Sequence, residues 1–573
     1  MSGGVAAGAE ETGESGRETP GNGGAGSGAQ EGRTGERPAP GGVAGRVTGR
    51  AAAFLRRRPH TTVPAVLALV AAAAYAVLGL VKLATFRAST FDLVIVDQAV
   101  RGYAGFEMGR VPSVGMHYGV GMDLLQVGDH FSPIYALLAP LYWIHDGPRT
   151  LIIAQAVLLA LAAIPVWRYA ERRLGPVPAH LVAAAYLLSW PVAQTAGFDV
   201  HEAAFVPLLS AIMIERFDAG RALPAVLAAA GLLLVKEDMG LLVAGFGVYL
   251  LVTRRRLEGT AFVLFGFAAL TLVRGVLMPL AGSSGEGFHW AYGRWGDGLG
   301  GLVLGIARDP LGALWQLVSP ETKVDTLAFL FWPVLLTALL SPLTLAALPL
   351  IAERFLADRP QFWEANFHYN AFLVAILFCA GVDGAGRLGG WLRRRAAARR
   401  SVAVRGPGRS GGTGPGGGAD RGAAVGRGEE HGGGADRGGR TDVARRAGRH
   451  WAFGVCAVAL TLVPRFALGD LLEWSFYEGE SHTAAARQAV AAVPDGVVVE
   501  AVNHVGPALT ERATVLLWGP AAHGAPWIVA DVDRWSFPFG AHEVQRQRVD
   551  EALRDGYRVV FERDGYIVLN RPS

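Results

Sequence analysis

The sequence predicts a polytopic α-helical membrane protein with a small α/β domain at its C-terminal end. Hydrophobic residues make up 51% of the 573 residues and charged residues only 18%, whereas soluble domains are about 25% charged. Apolar runs of helical length recur from residue 62 to residue 382. A soluble protein of this size could not bury so much apolar surface, so we expect the surplus to face lipid.

Two segments lack the apolar residues that a folded core requires. Residues 1–58 are rich in Gly, Glu, Ser, Pro and Arg, and they predict a disordered N-terminal arm. Residues 383–449, which include GGTGPGGG, predict a flexible Gly/Arg-rich linker. The main membrane domain is therefore expected over residues 59–382.

Apolar runs predict the membrane-spanning helices in order. A full span needs about 20 residues, and several runs are shorter, so some helices are expected to be tilted or buried within the bundle. We expect about 11 spans, the last of them within residues 450–470. Residues 131–144 predict a short helix at the membrane interface. The runs are 62–81, 150–167, 178–196, 203–215, 222–235, 239–252, 260–280, 326–340, 342–352, 371–382 and 450–468.

Arginines in the short loops predict the orientation of the chain in the cell membrane. They lie before the first run and in the loops after the second, fourth and sixth runs, at Arg56, Arg57, Arg58, Arg168, Arg172, Arg173, Arg216, Arg221, Arg254, Arg255 and Arg256. Basic loops stay in the cytoplasm, so the N-terminal arm and the linker are expected inside and residues 471–573 outside. The first run has no clear cleavage site and predicts an uncleaved signal anchor.

The last hundred residues predict a small extracytoplasmic α/β domain. The expected strands are 497–502, 514–517, 527–532, 558–561 and 566–569, and the expected helices are 481–493 and 541–556. The triplet from Asp531 to Asp533 places two carboxylates on one face of a strand. This pair could grip a cation or form a solvated strand end.

Charge and cysteine content exclude several classes of protein. The net charge of +4 is too small to indicate a nucleic-acid partner, which leaves membrane lipids as the expected surroundings. The two cysteines, Cys379 and Cys456, lie in apolar runs, where they are expected as small core residues rather than as a disulfide or metal motif.

Five polar motifs fall in loops that the predicted topology places on the outer face. They are FDLVIVDQ (91–98), GDHFSP (128–133), FDVHE (198–202), KED (236–238) and FWEANFHYNA (362–371). Ionisable groups at a membrane boundary are costly to bury, so they tend to pair or to line a wet cavity. The motifs contribute Asp92, Asp97, Asp129, His130, Asp199, His201, Glu202, Lys236, Glu237, Asp238, His368 and Tyr369.

Several chemistries are open to these residues. A carboxylate could act as a general base on a hydroxyl, or several could hold a divalent cation. A histidine could be a base, a phosphate partner or a metal ligand, and Lys236 suits a phosphate. The same side chains could instead cap helices, pair with one another or lie in solvated loops. Asp92 and Asp97 are five residues apart and are not expected to share a helix face.

The five motifs, in this order, resemble the bacterial and archaeal family of predicted membrane proteins called domain of unknown function 2079. The resemblance covers roughly residues 60–380. The C-terminal α/β domain also looks like that family, whereas the linker looks like an insertion. That family is grouped with the GT-C superfamily of integral-membrane glycosyltransferases.

The resemblance implies a GT-C-like fold and transfer of a sugar, with inversion, from a polyprenyl-phosphate donor to an extracytoplasmic acceptor. An essential acid of the first outer loop would be Asp92 or Asp97, and Lys236 or His201 would contact the lipid phosphate. We predict Asp92, Asp97, Asp129 and His130 as catalytic residues. The predicted substrate-binding residues are Asp199, His201, Glu202, Lys236, Glu237, Asp238, His368 and Tyr369.

Two other functions remain open at this stage. A transporter or lipid flippase would use intramembrane charges as a conduction route, but we find no internal repeat and the acids cluster near one face. A non-catalytic scaffold would use the α/β domain as a binding module, with the outer acids purely structural. A cavity shared by the motifs would disfavour the scaffold.

Overall fold

The computed structural model of the chain describes residues 59–282, 290–404 and 434–572. The predicted N-terminal arm and the middle of the predicted linker lie outside the described residues. The described residues form one compact unit, so the membrane helices and the C-terminal domain belong together.

Long apolar helices form the body of the molecule. Within the described ranges, five helices are long and apolar enough to cross a membrane, and each contains a predicted span. They are Thr61–Ala84, Pro148–Leu174, Pro176–Gly197, Arg256–Leu280 and His368–Arg395. The shorter apolar helices include Ala222–Leu233, Met239–Val252 and Gly298–Arg308. A polytopic helical fold is therefore confirmed, while the total of about 11 spans stays a prediction.

Shorter helices connect and complete this bundle. They are Ile95–Ala104, Pro112–His117, Gln126–Asp129, Ala139–Tyr142, Phe205–Asp218, Pro310–Gln316, Glu321–Phe331 and Leu348–Leu356. A long helix, Gly434–Leu462, leads to the C-terminal domain. The predicted interfacial helix at 131–144 is mostly a 3₁₀ segment, Pro133–Leu138, followed by one α-turn. Proline lacks an amide hydrogen and resists the helix interior, and Pro133 and Pro140 divide this segment. Pro333 and Pro342 likewise break residues 332–346 into 3₁₀ turns.

The predicted start of the flexible linker at residue 383 is wrong. The helix Ala371–Val404 continues without interruption through residues 383–404, and the helix Gly434–Leu462 begins before the predicted end of the linker. Asp383 explains part of the difference, because it is buried and accepts hydrogen bonds from Ser341 and Arg173. A buried, paired carboxylate ties this part of the helix to the bundle.

Glycines allow two neighbouring helices to approach closely. A side chain at Gly240 would meet the carbonyl oxygen of Gly266 at 2.4 Å, and one at Gly247 would meet that of Gly259 at 2.8 Å. Small residues at such contacts let helix backbones pack directly against each other. The close pair Met239–Val252 and Arg256–Leu272 thereby fixes the KED motif, which immediately precedes the first of these helices.

The acidic and arginine-rich loops lie at opposite ends of the same helix. The helix Pro176–Gly197 is preceded by Arg172 and Arg173 and followed by Asp199 and His201. The two arginines are held at their end by Glu215 and Asp218. The basic and the acidic loops are thus separated by the length of a membrane-spanning helix.

The C-terminal domain is the predicted α/β domain. Its strands are β1 (Val498–Ala501), β2 (Thr514–Leu517), β3 (Trp527–Asp531), β4 (Arg558–Arg563) and β5 (Tyr566–Asn570), in the order β2-β1-β3-β5-β4. Strands β2, β1 and β3 run parallel, whereas β5 pairs antiparallel with β3 and β4. The helices Ser481–Ala491 and His542–Arg554 accompany the sheet. All seven predicted elements are confirmed to within two residues at each end.

Candidate active site

One cavity of about 520 Å³ lies where the polar motifs meet. Its wall contains eight of the twelve residues predicted as site residues. These are Asp92, Asp129, His130, His201, Glu202, Lys236, His368 and Tyr369. All five polar motifs contribute residues to this wall, so motifs that are distant in sequence share one chemical environment.

Asp92 reaches the cavity from a π-helical turn, Thr90–Val94. Its side chain is 24% exposed, and Oδ1 lies 3.4 Å from Nε2 of His201. This contact is a close charge pair rather than a well-aligned hydrogen bond. Ser89 donates a hydrogen bond of 3.3 Å to the other oxygen of Asp92. The carboxylate is therefore oriented from two sides while it still faces the cavity.

His201 is held as a cation between two carboxylates. Its ring stacks on that of His368 at 3.5 Å, and its Nδ1 lies 3.8 Å from Glu202. Burial opposes the imidazolium charge, but Asp92 and Glu202 outweigh burial and raise the pKa of His201 to about 9. The His201 side chain therefore carries a proton at neutral pH.

Lys236 and Glu202 form a buried ion pair in the cavity wall. The Lys236 ammonium donates a 2.8 Å hydrogen bond to Oε1 of Glu202, and the hydroxyl of Tyr135 donates one of 2.8 Å to Oε2. Burial alone would raise the pKa of Glu202, but Lys236 outweighs it and holds the pKa well below its usual range. Lys236 also lies 5.9 Å from the centre of the Tyr369 ring.

Glu237 orients His130 from outside the cavity. Its Oε1 lies 2.9 Å from Nδ1 of His130, and its Oε2 accepts the backbone N–H of Phe131 at 3.2 Å. The second ring nitrogen of His130 therefore has a fixed direction. Glu237, predicted as a substrate-binding residue, is not among the residues that line this cavity.

Asp97, predicted as an alternative catalytic acid, also lies outside the cavity lining. It is fully buried and accepts hydrogen bonds of 2.6 Å from both Tyr142 and Thr510. Arg101 lies 2.8 Å away and forms a salt bridge with it. Because Thr510 belongs to the C-terminal domain, Asp97 joins the first loop to that domain.

Asp199 and Asp238 are the other two predicted residues outside the cavity lining. Asp199 accepts the backbone N–H of Ser89 at 2.9 Å, and burial together with Asp92 raises its pKa to about 6. Asp238 is buried 3.5 Å from Arg354, which in turn donates to the carbonyl of Tyr369. Asp199 thereby holds the backbone beside the turn that carries Asp92, and Asp238 holds a cation that contacts Tyr369.

The C-terminal domain grips the turn that carries Asp92. The backbone N–H and the hydroxyl of Thr90 both donate to the carbonyl of Asn503, at 2.6 and 2.7 Å. The side-chain oxygen of Asn503 accepts the N–H of Phe91 at 3.1 Å. Phe537 of the same domain packs on Phe91, with ring centres 5.1 Å apart, and lines the cavity.

Several cavity residues escaped the sequence analysis. Tyr118, Gln126, Tyr135, Arg359 and Phe537 line the cavity but were not singled out. Arg359 lies three residues before the FWEANFHYNA segment, and an arginine in a predicted outer loop is a signal that could have identified it. Phe537 carries no such signal, because only the docking of the C-terminal domain brings it to the cavity.

The predicted pairing of Asp531 with Asp533 is replaced by a different arrangement. Asp531 is fully buried rather than solvated, and its Oδ1 accepts the backbone N–H of Asp533 at 3.0 Å. Its Oδ2 faces His482 and His504. Among the described residues, these three are the group whose ligand atoms converge as a metal site requires.

The chain is similar in structure to ArnT from Cupriavidus metallidurans bound to undecaprenyl phosphate, with 13% identity and a TM-score of 0.48, over 88% of this chain and 97% of that chain. It is also similar to the oligosaccharyltransferase AglB from Archaeoglobus fulgidus in complex with an inhibitory peptide and a dolichol-phosphate, with 12% identity and a TM-score of 0.40, over 84% of this chain and 70% of that chain. Both TM-scores lie below 0.5. No curated protein matches the chain.

A family model gives the relationship directly. The model described as "Predicted membrane protein (DUF2079)" matches residues 82–404. This range contains all five polar motifs and every predicted site residue, and it ends before the C-terminal domain. It covers more than half of the chain, which therefore belongs to the DUF2079 family of predicted membrane proteins.

Proposed function

We propose that the protein is a membrane glycosyltransferase that transfers a sugar, with inversion, from a polyprenyl-phosphate donor to an extracytoplasmic acceptor hydroxyl. The observation that supports this function best is the shared cavity, which combines an accessible carboxylate with a buried ammonium group. Asp92 and Lys236 both line it although they come from loops separated by several helices. The donor class follows from the resemblance of the five motifs.

Asp92 acts as the general base in this proposal. It is the cavity carboxylate that a π-helical turn presents, and it is partly exposed at 24%. The acceptor hydroxyl gives its proton to Asp92 as its oxygen attacks the anomeric carbon of the sugar. A base is effective only within hydrogen-bond reach of that proton, and the orientation of Asp92 by Ser89 and His201 serves this need.

Positively charged side chains of the cavity bind the phosphate of the leaving group. As the new glycosidic bond forms, the bond between the anomeric carbon and the phosphate oxygen breaks, and polyprenyl phosphate leaves with the electron pair. Lys236, Arg359 and His130 line the cavity, and Lys236 and Arg359 supply positive charge for this group. Charge-assisted hydrogen bonds to phosphate are stronger than neutral ones, so these residues favour the transition state in which negative charge develops on the leaving group.

The test is complementation of a strain of the source organism that lacks this gene. We expect the deletion to accumulate a lipid-linked sugar and to lose one cell-envelope glycan. The wild-type gene should reverse both changes, and the Asp92→Asn variant should reverse neither at equal abundance in the membrane. Lipid extracts and hydrolysed envelope glycans are compared by mass spectrometry.

The matched control is Asp123→Asn. The Asp123 side chain is 94% exposed and lies outside the cavity, so this variant should complement fully. Full complementation by Asp92→Asn would contradict the assigned base. Movement of the lipid-linked sugar across proteoliposome membranes without any glycosyl product would contradict the proposed function.

Gly506→Ala is predicted to impair transfer from a distance. A Cβ at Gly506 would lie 2.0 Å from the hydroxyl oxygen of Thr90, so the turn that carries Asp92 must shift. We expect transfer to fall at least about tenfold, because a displacement of about 1 Å is costly in catalysis. Gly540→Ala is the control, since a Cβ there meets nothing within 4 Å. Equal transfer rates of the two variants would contradict the positioning role of the C-terminal domain.

Protonation of His201 is predicted to stabilise the folded protein up to mildly alkaline pH. Its pKa is about 9 in the folded protein and about 6.5 in an unfolded chain, so the stabilisation is complete below about pH 6.5 and is lost as the pH rises through 9. We expect the unfolding temperature of the purified protein to fall between about pH 7 and about pH 10. The fall should be smaller in His201→Gln, and identical pH profiles would contradict the assignment.

A further inference from the structure

Two histidines and an aspartate converge at one edge of the C-terminal sheet. Asp531 ends β3, His504 follows β1, and His482 lies in the first turn of the helix Ser481–Ala491. Because β1 and β3 are parallel neighbours, their carboxyl ends meet at the same edge. None of the three residues lines the cavity that contains Asp92.

The three potential ligand atoms face one another. Nε2 of His482 lies 2.7 Å and Nε2 of His504 lies 3.5 Å from the same oxygen, Oδ2 of Asp531. All three ligand atoms lie within 4.8 Å of one another. A tetrahedral zinc ion with bonds of about 2.0–2.1 Å separates its ligand atoms by about 3.3 Å, so small side-chain movements suffice to admit it.

Asp531 is fixed in the orientation that a ligand requires. Its Oδ1 accepts the backbone N–H groups of Asp533 and Arg534, at 3.0 and 3.2 Å. Only Oδ2 is therefore directed at the histidines. Supporting hydrogen bonds of this kind orient ligands in known metal sites and raise their affinity for the ion.

Open space adjoins the cluster. A second cavity, of about 230 Å³, is lined by His482, His504 and Tyr566 together with Arg87 and Arg534. The hydroxyl of Tyr566 lies 2.8 Å from Nε2 of His504. Two imidazoles with one carboxylate suit zinc, whereas magnesium and calcium prefer oxygen ligands alone.

We propose that His482, His504 and Asp531 form a zinc site of the C-terminal domain. Its fourth position opens to the second cavity, where water or an anionic oxygen ligand completes the coordination. The two arginines in the cavity wall favour an anion at this position. The site is independent of the glycosyl-transfer centre proposed above, since it uses none of the same residues.

The experiment is metal binding to the purified full-length protein in detergent. The protein is freed of metal with a chelator, and zinc is added back and counted by mass spectrometry. We expect one equivalent of tightly bound zinc, and cobalt in its place should show the absorption bands of a tetrahedral site. His482→Gln and His504→Gln should each weaken zinc binding about 100-fold or more. His542→Gln, which changes an exposed histidine of the same domain, should bind as the wild type does.

A second readout guards against variants that simply fold badly. Zinc should raise the unfolding temperature of the wild type and of His542→Gln, because an ion that binds only the folded state stabilises it. Zinc should leave Asp531→Asn and His504→Gln unchanged, while all four proteins unfold alike in chelator. Equal zinc binding by the wild type and a His482→Gln/His504→Gln double variant would overturn the proposal and leave a purely hydrogen-bonded cluster.

Discussion

Replacing Asp92 by Asn is expected to lower sugar transfer by about 100- to 10,000-fold, the range that general-base catalysis contributes. Asn has nearly the same shape but cannot take a proton from the acceptor hydroxyl. The side chain is partly exposed, so the fold should persist. The rate is measured with purified protein and the radiolabelled lipid extract of the deletion strain as donor, by following the label that leaves the lipid phase.

Asp97→Asn is the informative companion to this variant. Asp97 is buried between Arg101, Tyr142 and Thr510, so its loss should loosen the C-terminal domain and lower the unfolding temperature. Per folded molecule, its rate should exceed that of Asp92→Asn. If Asp97→Asn were fully stable but inactive while Asp92→Asn stayed active, Asp97 and not Asp92 would be the general base.

Replacing Lys236 by Met is expected to destabilise the protein by about 3–5 kcal/mol and to abolish transfer. The substitution leaves the Glu202 carboxylate buried without its cation, and removing one partner of a buried ion pair costs this much. Glu202→Gln in the same molecule should restore most of the stability but none of the activity. Unfolding in denaturant measures the stability, and the lipid-extract assay measures transfer.

Lys323→Met is the matched control for this second prediction. Lys323 is also buried, but it donates to the backbone carbonyls of Gln316 and Phe355, and it does not line the cavity. Its loss leaves no buried anion unpaired, so the destabilisation should be smaller and transfer per folded molecule unchanged. An active Lys236→Met/Glu202→Gln double variant would contradict a role for Lys236 in binding the donor phosphate.

The sequence was most informative where local patterns determine structure. The strands of the C-terminal domain coincide with short runs rich in β-branched and other apolar residues between turns, and the strand Thr514–Leu517 has the predicted bounds at both ends. The loops that meet at the cavity could be grouped in advance, because the arginines of alternate loops assign the remaining loops to one end of the bundle. This reasoning places Asp92 with Lys236, and the structure does the same.

Contacts between distant segments could not be predicted in this way. Asp92 and Asp97 both belong to FDLVIVDQ, but a π-helical turn directs Asp92 to the cavity while Asp97 faces Thr510. A π-helical turn contains one more residue than an α-helical turn, so it rotates the side chains that follow it. The amino-acid composition does not reveal where such a turn occurs. Phe537 reaches the cavity only through tertiary docking. The helix Ala371–Val404 extends beyond its apolar run because Asp383 accepts hydrogen bonds from buried partners.

The grip of Asn503 on Thr90 also sets an order of events during biosynthesis. Asn503 lies 413 residues after Thr90 in the chain, so the reactive turn stays unfinished while most of the polypeptide is still emerging from the ribosome. A chain that ends before Asn503 lacks the hydrogen bonds that hold the turn of Asp92 in place. Under the proposed function, sugar transfer therefore begins only after the C-terminal domain has been synthesised and has folded.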